Sequence, residues 1–218
     1  MAVRIRASTR ARRLALRVEP RAGVVDLVMP AGASQTAADR FLSAHAEWVA
    51  ARIGELPPRI GFTPGAVLPI LGRDCTIRHV TSLAIEVVRE GDELLVGGPL
   101  DEIGEKVAVW LRTLARRVLT ERAEGFARIL GRRPTRLTIR DPRSRWGSCS
   151  SAGRLSFSWR LVLAPPMVLD YVAAHEVAHL RKPDHGPRFW ALVERLCPGY
   201  HDGRVWLRRH GARLHRYG

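Results

Sequence analysis

Apolar and polar positions alternate over Val3–Arg6 and Leu14–Val18, and Val24–Met29 is a third β-rich run between turn residues. That patterning predicts three short strands, expected antiparallel and joined by tight turns. The period then lengthens. Ser34 is an N-cap type, and Phe41, Leu42, His45, Trp48 and Val49 recur at helical spacing. One helix over Ala37–Ile53 is expected, ended by Gly54 and Pro57-Pro58. Residues 60–98 return to β-like runs at Ala66–Leu71, Cys75–Val80, Ala84–Val88 and Glu93–Val96. Turns are expected at Gly72–Asp74, Thr81-Ser82 and Gly91-Asp92.

Asp101–Gly131 reads as one long helix, with Ile103, Val107, Leu111, Leu114, Val118, Phe126 and Ile129 on its apolar side. A strand at Leu137–Arg140 follows. Arg143–Ser150 and Arg154–Trp159 then form a hairpin about Ser151–Gly153. Pro165-Pro166 opens a helix from Met167 to Arg181, and Lys182–Asp184 stops it. A further helix runs Arg188–Leu196, with Phe189, Trp190, Leu192, Val193 and Leu196 inward. Asp202 is expected to cap a last helix with Val205, Trp206, Leu207, His210 and Leu214 on one side. The element order predicts an α+β fold. A β-rich N-terminal region with one helix, 1–99, joins through the long helix to a domain over 100–218.

Composition removes several classes. No apolar run reaches the roughly 18 residues a membrane helix needs. The basic N-terminus leads into no apolar segment, so it does not read as a secretory signal. The three cysteines, Cys75, Cys149 and Cys197, are too few and odd in number for a disulfide framework. Each reads as a small buried residue. A cytoplasmic location is expected. The net charge is +15, and nearly all the basic residues are arginine. The charge is uneven, with basic ends flanking an acidic middle. Such a balance admits an anionic ligand or nucleic acid as a partner. No basic stretch is interleaved with aromatics, and no glycine loop has phosphate-cradling spacing.

The chemistry concentrates in Tyr171–Leu180, which contains His175-Glu176-x-x-His179. Residues four apart share a helix face, so both imidazoles can address one ion. Glu176 is offset from that face and can reach a water at the same place. The rest of the stretch is apolar, so these polar groups belong in an interior or a cleft, where each needs a partner. Zinc is the expected ion.

Several separated pieces then agree on a family. Arg145–Ser150, Trp159–Leu161, Asp170–Val172, His175–Leu180, Asp184-His185 with Phe189-Trp190, and Pro198–Tyr200 closely resemble the YgjP-like metallopeptidase family. That family is related to the SprT and WLM groups of small zinc peptidases. The agreement spans residues 136–210. Asp184-His185-Gly186 stands where the family usually has Asn-His-Ser. The resemblance implies a minimal zincin-like metallopeptidase domain over 100–218, and it points to His185 as third ligand. Its place past the Pro183 stop lets the chain fold back over the ion. Glu194 and His201 are the other ligands considered.

On this reading His175, His179 and His185 hold Zn²⁺ and Glu176 is the general base. The family motif makes Tyr200 the first choice for stabilising the oxyanion, ahead of Tyr171, His201 and Arg143. The hairpin 143–159 is expected beside the site, with Trp146 and Trp159 packing. The leading expectation is therefore a zinc metallopeptidase acting on peptides or proteins. Two others stand beside it. One is a zinc-dependent nucleoside triphosphate (UTP) pyrophosphatase. The other is a SprT-like nucleic-acid-associated peptidase, or an inactive binding module.

Overall fold

Three expected strands become β1 (Val3–Ser8), β2 (Ala15–Glu19) and β3 (Val24–Pro30) in a computed structural model that describes residues 3–81 and 86–218. Contacts divide the chain into two compact units, one up to Arg59 and one from Ile60. In the first unit β3 is central, and the order is β1-β3-β2. β2 and β3 pair antiparallel as expected, but β1 runs parallel to β3. Alternation identifies a strand and which of its faces is buried. It carries nothing about the neighbour, and the chain crosses β3 between β1 and β2. Val25 and Leu27 of β3 are buried, and Asp26 accepts a 2.6 Å bond from Arg4 Nε.

The single expected helix is two, α1 (Gln35–Ala44) and α2 (Ala46–Gly54). Ser34 caps the first, its hydroxyl accepting from the Ala37 N–H at 3.2 Å. The break falls at His45. Its Nδ1 bonds the Phe41 carbonyl at 2.8 Å, taking the acceptor its own backbone N–H would use in an unbroken helix. That N–H turns to the Leu42 carbonyl instead.

The second unit holds two sheets and four helices among the described residues. β4 (Val67–Ile70), β5 (Arg73–Val80), β6 (Val87–Glu90) and β7 (Glu93–Gly97) form a sheet in the order β4-β5-β7-β6. Ala84 and Ile85 of the expected third strand, and Ser82 of the expected turn, lie outside the described residues. α3 (Ile103–Leu130) ends at Gly131, whose φ of 68° is the left-handed cap that glycine suits. Its buried row includes Ile103, Val107, Leu111, Leu114 and Val118 as expected, whereas Ile129 is exposed. The division expected at 99/100 falls within this unit.

β8 (Arg136–Arg140), β9 (Gly147–Cys149) and β10 (Arg154–Ser158) form the other sheet, in the order β8-β10-β9. β9 is an end strand, antiparallel to β10. A buried 3-10 turn, Trp159–Leu163, leads to α4 (Pro166–Ala178), α5 (Pro187–Leu196) and α6 (Tyr200–Leu214). The core gathers α3, α4 and the inner faces of both sheets. No helix among the described residues is long and apolar enough to cross a membrane.

Two features seat α4. The β4–β5 turn is Leu71-Gly72, both with positive φ (52° and 78°). A Cβ on Gly72 would approach Pro165 Cα and Pro166 Cδ to 3.3 Å. Leu71 tolerates a conformation costing about 1–2 kcal/mol. Its N–H is anchored on the Val162 carbonyl at 2.7 Å. On another side α6 comes close to α4 through Gly203, where a Cβ would lie 2.5 Å from the Met167 carbonyl oxygen. The buried row of α6 is Tyr200, Gly203, Leu207, Gly211 and Leu214. This corrects the expected face, since Val205 and His210 are exposed. Two of the true contact positions are glycines, invisible to a hydrophobic pattern. Gly199 precedes this helix with φ 78°, and Asp202 lies in its first turn instead of at its cap.

Candidate metal centre

α4 is apolar on nearly every side because it is enclosed on nearly every side: Val168, Leu169, Val172, Ala174, Val177 and Ala178 are all buried. His175 and Glu176 lie in its last turn. The helix stops at Ala178, three residues before the expected end, and His179 is its cap. The chain then folds back. The N–H groups of Arg181 and Lys182 both bond the Ala178 carbonyl. The Lys182 carbonyl comes to 3.0 Å from His179 Nδ1. A carbonyl can only accept, so Nδ1 carries the proton and the lone pair of His179 is on Nε2.

Past Pro183 the backbone delivers His185 onto the same spot. Its Nε2 is 3.1 Å from Nε2 of His175, and ligand atoms of His175, His179 and His185 all lie within 4.8 Å of one another. Phe189, fully buried on α5, underlies the group. Its ring centre is 4.9, 4.5 and 4.8 Å from those of His175, His179 and His185. Burial and the neighbouring imidazoles push the pKa of His175 down to about 3. Burial lowers that of His179 as well. Neutral imidazoles are the ligating form. Three convergent imidazoles, one fixed in tautomer by a carbonyl, are a donor set that fits a divalent transition-metal ion.

Glu176 is 6% exposed. Burial raises its carboxyl to about 8, against the pull of Arg145. It lies against β9: a Cβ on Gly147 would come within 2.6 Å of Glu176 Cγ and Oε1. The hairpin therefore does flank the helix. Between them is a cleft of about 400 Å³, lined by Gly147–Ser151 on one side and by Glu176, Pro183 and the three histidines on the other.

Tyr200 is buried at the start of α6, stacked on Trp190 (5.5 Å) and Tyr171 (6.1 Å), and is not among the residues lining the cleft. Tyr171 meets His175 edge to face at 5.8 Å. Glu194 and His201 are exposed and outside the histidine group. Arg143 is exposed and away from the cleft lining. Trp146 stacks on His215, and Trp159 lies under the Arg160 guanidinium, so both pack as expected. Cys149 lines the cleft half-buried, with its thiol pKa pushed up by burial. The pattern reading passed over Gly147, Phe189 as a support for all three imidazoles, and Arg160. A glycine inside a hairpin strand is the one signal that pointed at the first. Arg160 is 1% exposed and bonds Asp141 (2.8 Å) and the carbonyls of Leu214 (3.1 Å) and Tyr217 (2.5 Å).

The family model for the YgjP-like metallopeptidase domain matches residues 12–210. Among solved structures, the metallopeptidase zymogen of Pyrococcus abyssi abylysin matches at 23% identity and a TM-score of 0.37, over 43% of this chain and 92% of that one. No curated protein matches.

Proposed function

The chain belongs to the YgjP-like metallopeptidase family, and from that membership we propose that it hydrolyses peptide bonds with zinc held by His175, His179 and His185. The observation that carries the reading is the convergence of three imidazoles beside a buried carboxylate that also faces an end strand. Two nitrogens at zinc bond length and tetrahedral angle stand about 3.3 Å apart. The 3.1 Å between His175 and His185 is close to that spacing. Zinc, when bound, supplies Lewis-acid polarisation of the scissile carbonyl and acidifies water.

The chain's own residues do the rest. Glu176 accepts the proton of the attacking water and hands it to the leaving amine nitrogen. Its burial favours that shuttling, because a carboxyl that binds a proton readily near neutrality can both take and give one. The free edge of β9 pairs with the substrate backbone and holds it extended across the cleft. His179 is kept in its ligating tautomer by the Lys182 carbonyl. Tyr200 is the proposed second catalytic group, donating its hydroxyl to the oxyanion. Residues 100–218 are then the zincin-like catalytic domain of this scheme, preceded by the β-rich region 1–99.

The test is metal content and turnover together. Purified protein is expected to hold one zinc and to cleave an unstructured protein such as casein, with activity lost to a chelator and restored by Zn²⁺. Glu176→Gln should keep the zinc and lose about 10²–10⁴ in rate. Unchanged hydrolysis by that variant would sink the mechanism. UTP is the control substrate. Pyrophosphate release that depends on His175, with no peptide cleaved, would replace this reading with the phosphoanhydride one. Tyr200→Phe at wild-type kcat would remove the tyrosine from the scheme.

A further inference from the structure

One face of the β8-β10-β9 sheet is turned away from the core. Strand pleating puts Arg136, Thr138 and Arg140 of β8 on it, together with Arg154 and Ser156 of β10 and Ser148 of β9. The opposite face carries Leu155 and Phe157, both buried, and Gly147, which meets Glu176. The outward face floors a groove of about 870 Å³, and Arg145 completes its wall.

Most of this groove's charge is uncompensated, with Arg145 acting on the Glu176 carboxyl next door. Arg136 stands directly opposite Arg154 in the strand register. Like charges so placed repel and destabilise the pair. None of the four arginines has an ion-pair partner among the described residues. The groove's one acid, Asp141, is engaged by Arg160. Ser148 and Ser156 add hydroxyl donors beside the guanidinium groups, while the Thr138 hydroxyl donates to the Leu155 carbonyl at 3.4 Å. No aromatic side chain lines the groove. It therefore lacks the stacking platform by which single-stranded nucleic acid is held.

The groove and the metal cleft share a wall. Gly147, Ser148, Cys149 and Ser150 line both. β9 is the end strand of its sheet. A chain extended along that edge alternates its side chains between the two faces. One set points toward Glu176 and the imidazoles, the other toward the arginines.

We propose that this groove is a specificity subsite for carboxylate side chains, so that the protein selects peptides carrying Asp or Glu at alternate positions beside the bond it cuts. The inference rests on the peptidase reading above, and the test reads the two separately. Zinc-loaded Glu176→Gln protein is titrated, by fluorescence anisotropy at low and high salt, with a Glu-rich peptide, its Gln counterpart and a DNA oligonucleotide of equal charge. The wild-type protein is assayed for cleavage of both peptides.

The Glu peptide is expected to bind about tenfold tighter than the Gln peptide. Salt should shrink the difference. Adding R136Q and R154Q should bring the two peptides within about twofold. R154E, the second variant, should bind the Gln peptide better than the Glu peptide. R209Q, an exposed arginine on α6, serves as the control and should keep the difference. The replaced side chains are exposed, and removing the Arg136–Arg154 repulsion should leave the melting temperature unchanged or higher.

Equal binding of the two peptides, or a preference that survives R136Q with R154Q, overturns the subsite. Tighter binding of the oligonucleotide overturns it in favour of nucleic acid. Cleavage of both peptides with no acid preference overturns the subsite and keeps the peptidase. An acid preference with neither peptide cleaved supports the subsite and overturns the peptidase reading.

Discussion

Gly147 and Glu176 are in contact that leaves no room for a side chain at position 147: a Cβ there would fall 2.6 Å from Glu176 Cγ. The Glu176 carboxylate is thus positioned by the absence of an atom on the facing strand. Gly147→Ala should push the carboxylate out of line while leaving the three imidazoles alone. We expect peptide hydrolysis to fall by about 100-fold, since misplacement near 1 Å costs that much. Zinc content should stay at the wild-type level. Steady-state kinetics with metal analysis of the same preparation check both halves.

His185, the proposed third ligand, can be separated from its rivals by affinity. His185→Ala should weaken zinc binding by more than the roughly 10–100-fold that loss of a supporting residue costs. Glu194→Ala and His201→Ala should leave it at the wild-type value, because both side chains are exposed and outside the histidine group. Competition with a chromogenic chelator measures all three. Loss of zinc from Glu194→Ala would move the ligand to α5.

Phe189 tests whether a floor matters as much as ligands. It is fully buried and touches all three imidazole rings. Phe189→Leu keeps the site apolar but loosens the rings. Zinc affinity should drop about tenfold, in the range seen for supporting shells. Stability should drop by about 1 kcal/mol, as for a change of shape in a packed core. Chelator competition and urea unfolding separate the two effects. Wild-type affinity would show that α4 and the Lys182 carbonyl orient the imidazoles unaided.

Asp141 should matter for stability. It faces Arg160, whose guanidinium is 1% exposed. Asp141→Ala leaves a buried cation without its carboxylate, which typically costs about 3–5 kcal/mol. The lower end is expected, because the Leu214 and Tyr217 carbonyls remain as acceptors. A urea midpoint equal to wild type would show that the pair is dispensable.

What could be read in advance follows from range. His175 and His179 are four apart on one helix, so helical geometry alone joins them. His185 lies just beyond a proline stop, and the family resemblance supplied it. The strands of the second unit were legible because alternation is local. Most of the failures are relations between distant segments. Gly203 and Gly211 mark where α6 approaches its neighbours, and a glycine has no hydrophobic signature. Gly147 matters only because Glu176 faces it. Arg160 reads as one more basic residue until Asp141 and two carbonyls surround it. The parallel β1–β3 pair and the break at His45 likewise depend on partners chosen in three dimensions or on a competing side-chain bond.

The turn at Leu71-Gly72, lodged under Pro165 and Pro166, implies an order of events during folding. His175, His179 and His185 are neighbours in the chain, so if they hold zinc as proposed, an unfolded segment already has the means to grip it. The seat of their helix, by contrast, waits for a turn far upstream, and contacts across such sequence separations form slowly. On that proposal metal capture can precede the docking of α4, and a metal-loaded chain would not yet be one whose Glu176 faces Gly147. Because the unfolded segment competes for the ion, zinc should raise the melting temperature less than its native affinity alone would give. Loading and competence are separate milestones in the life of this chain.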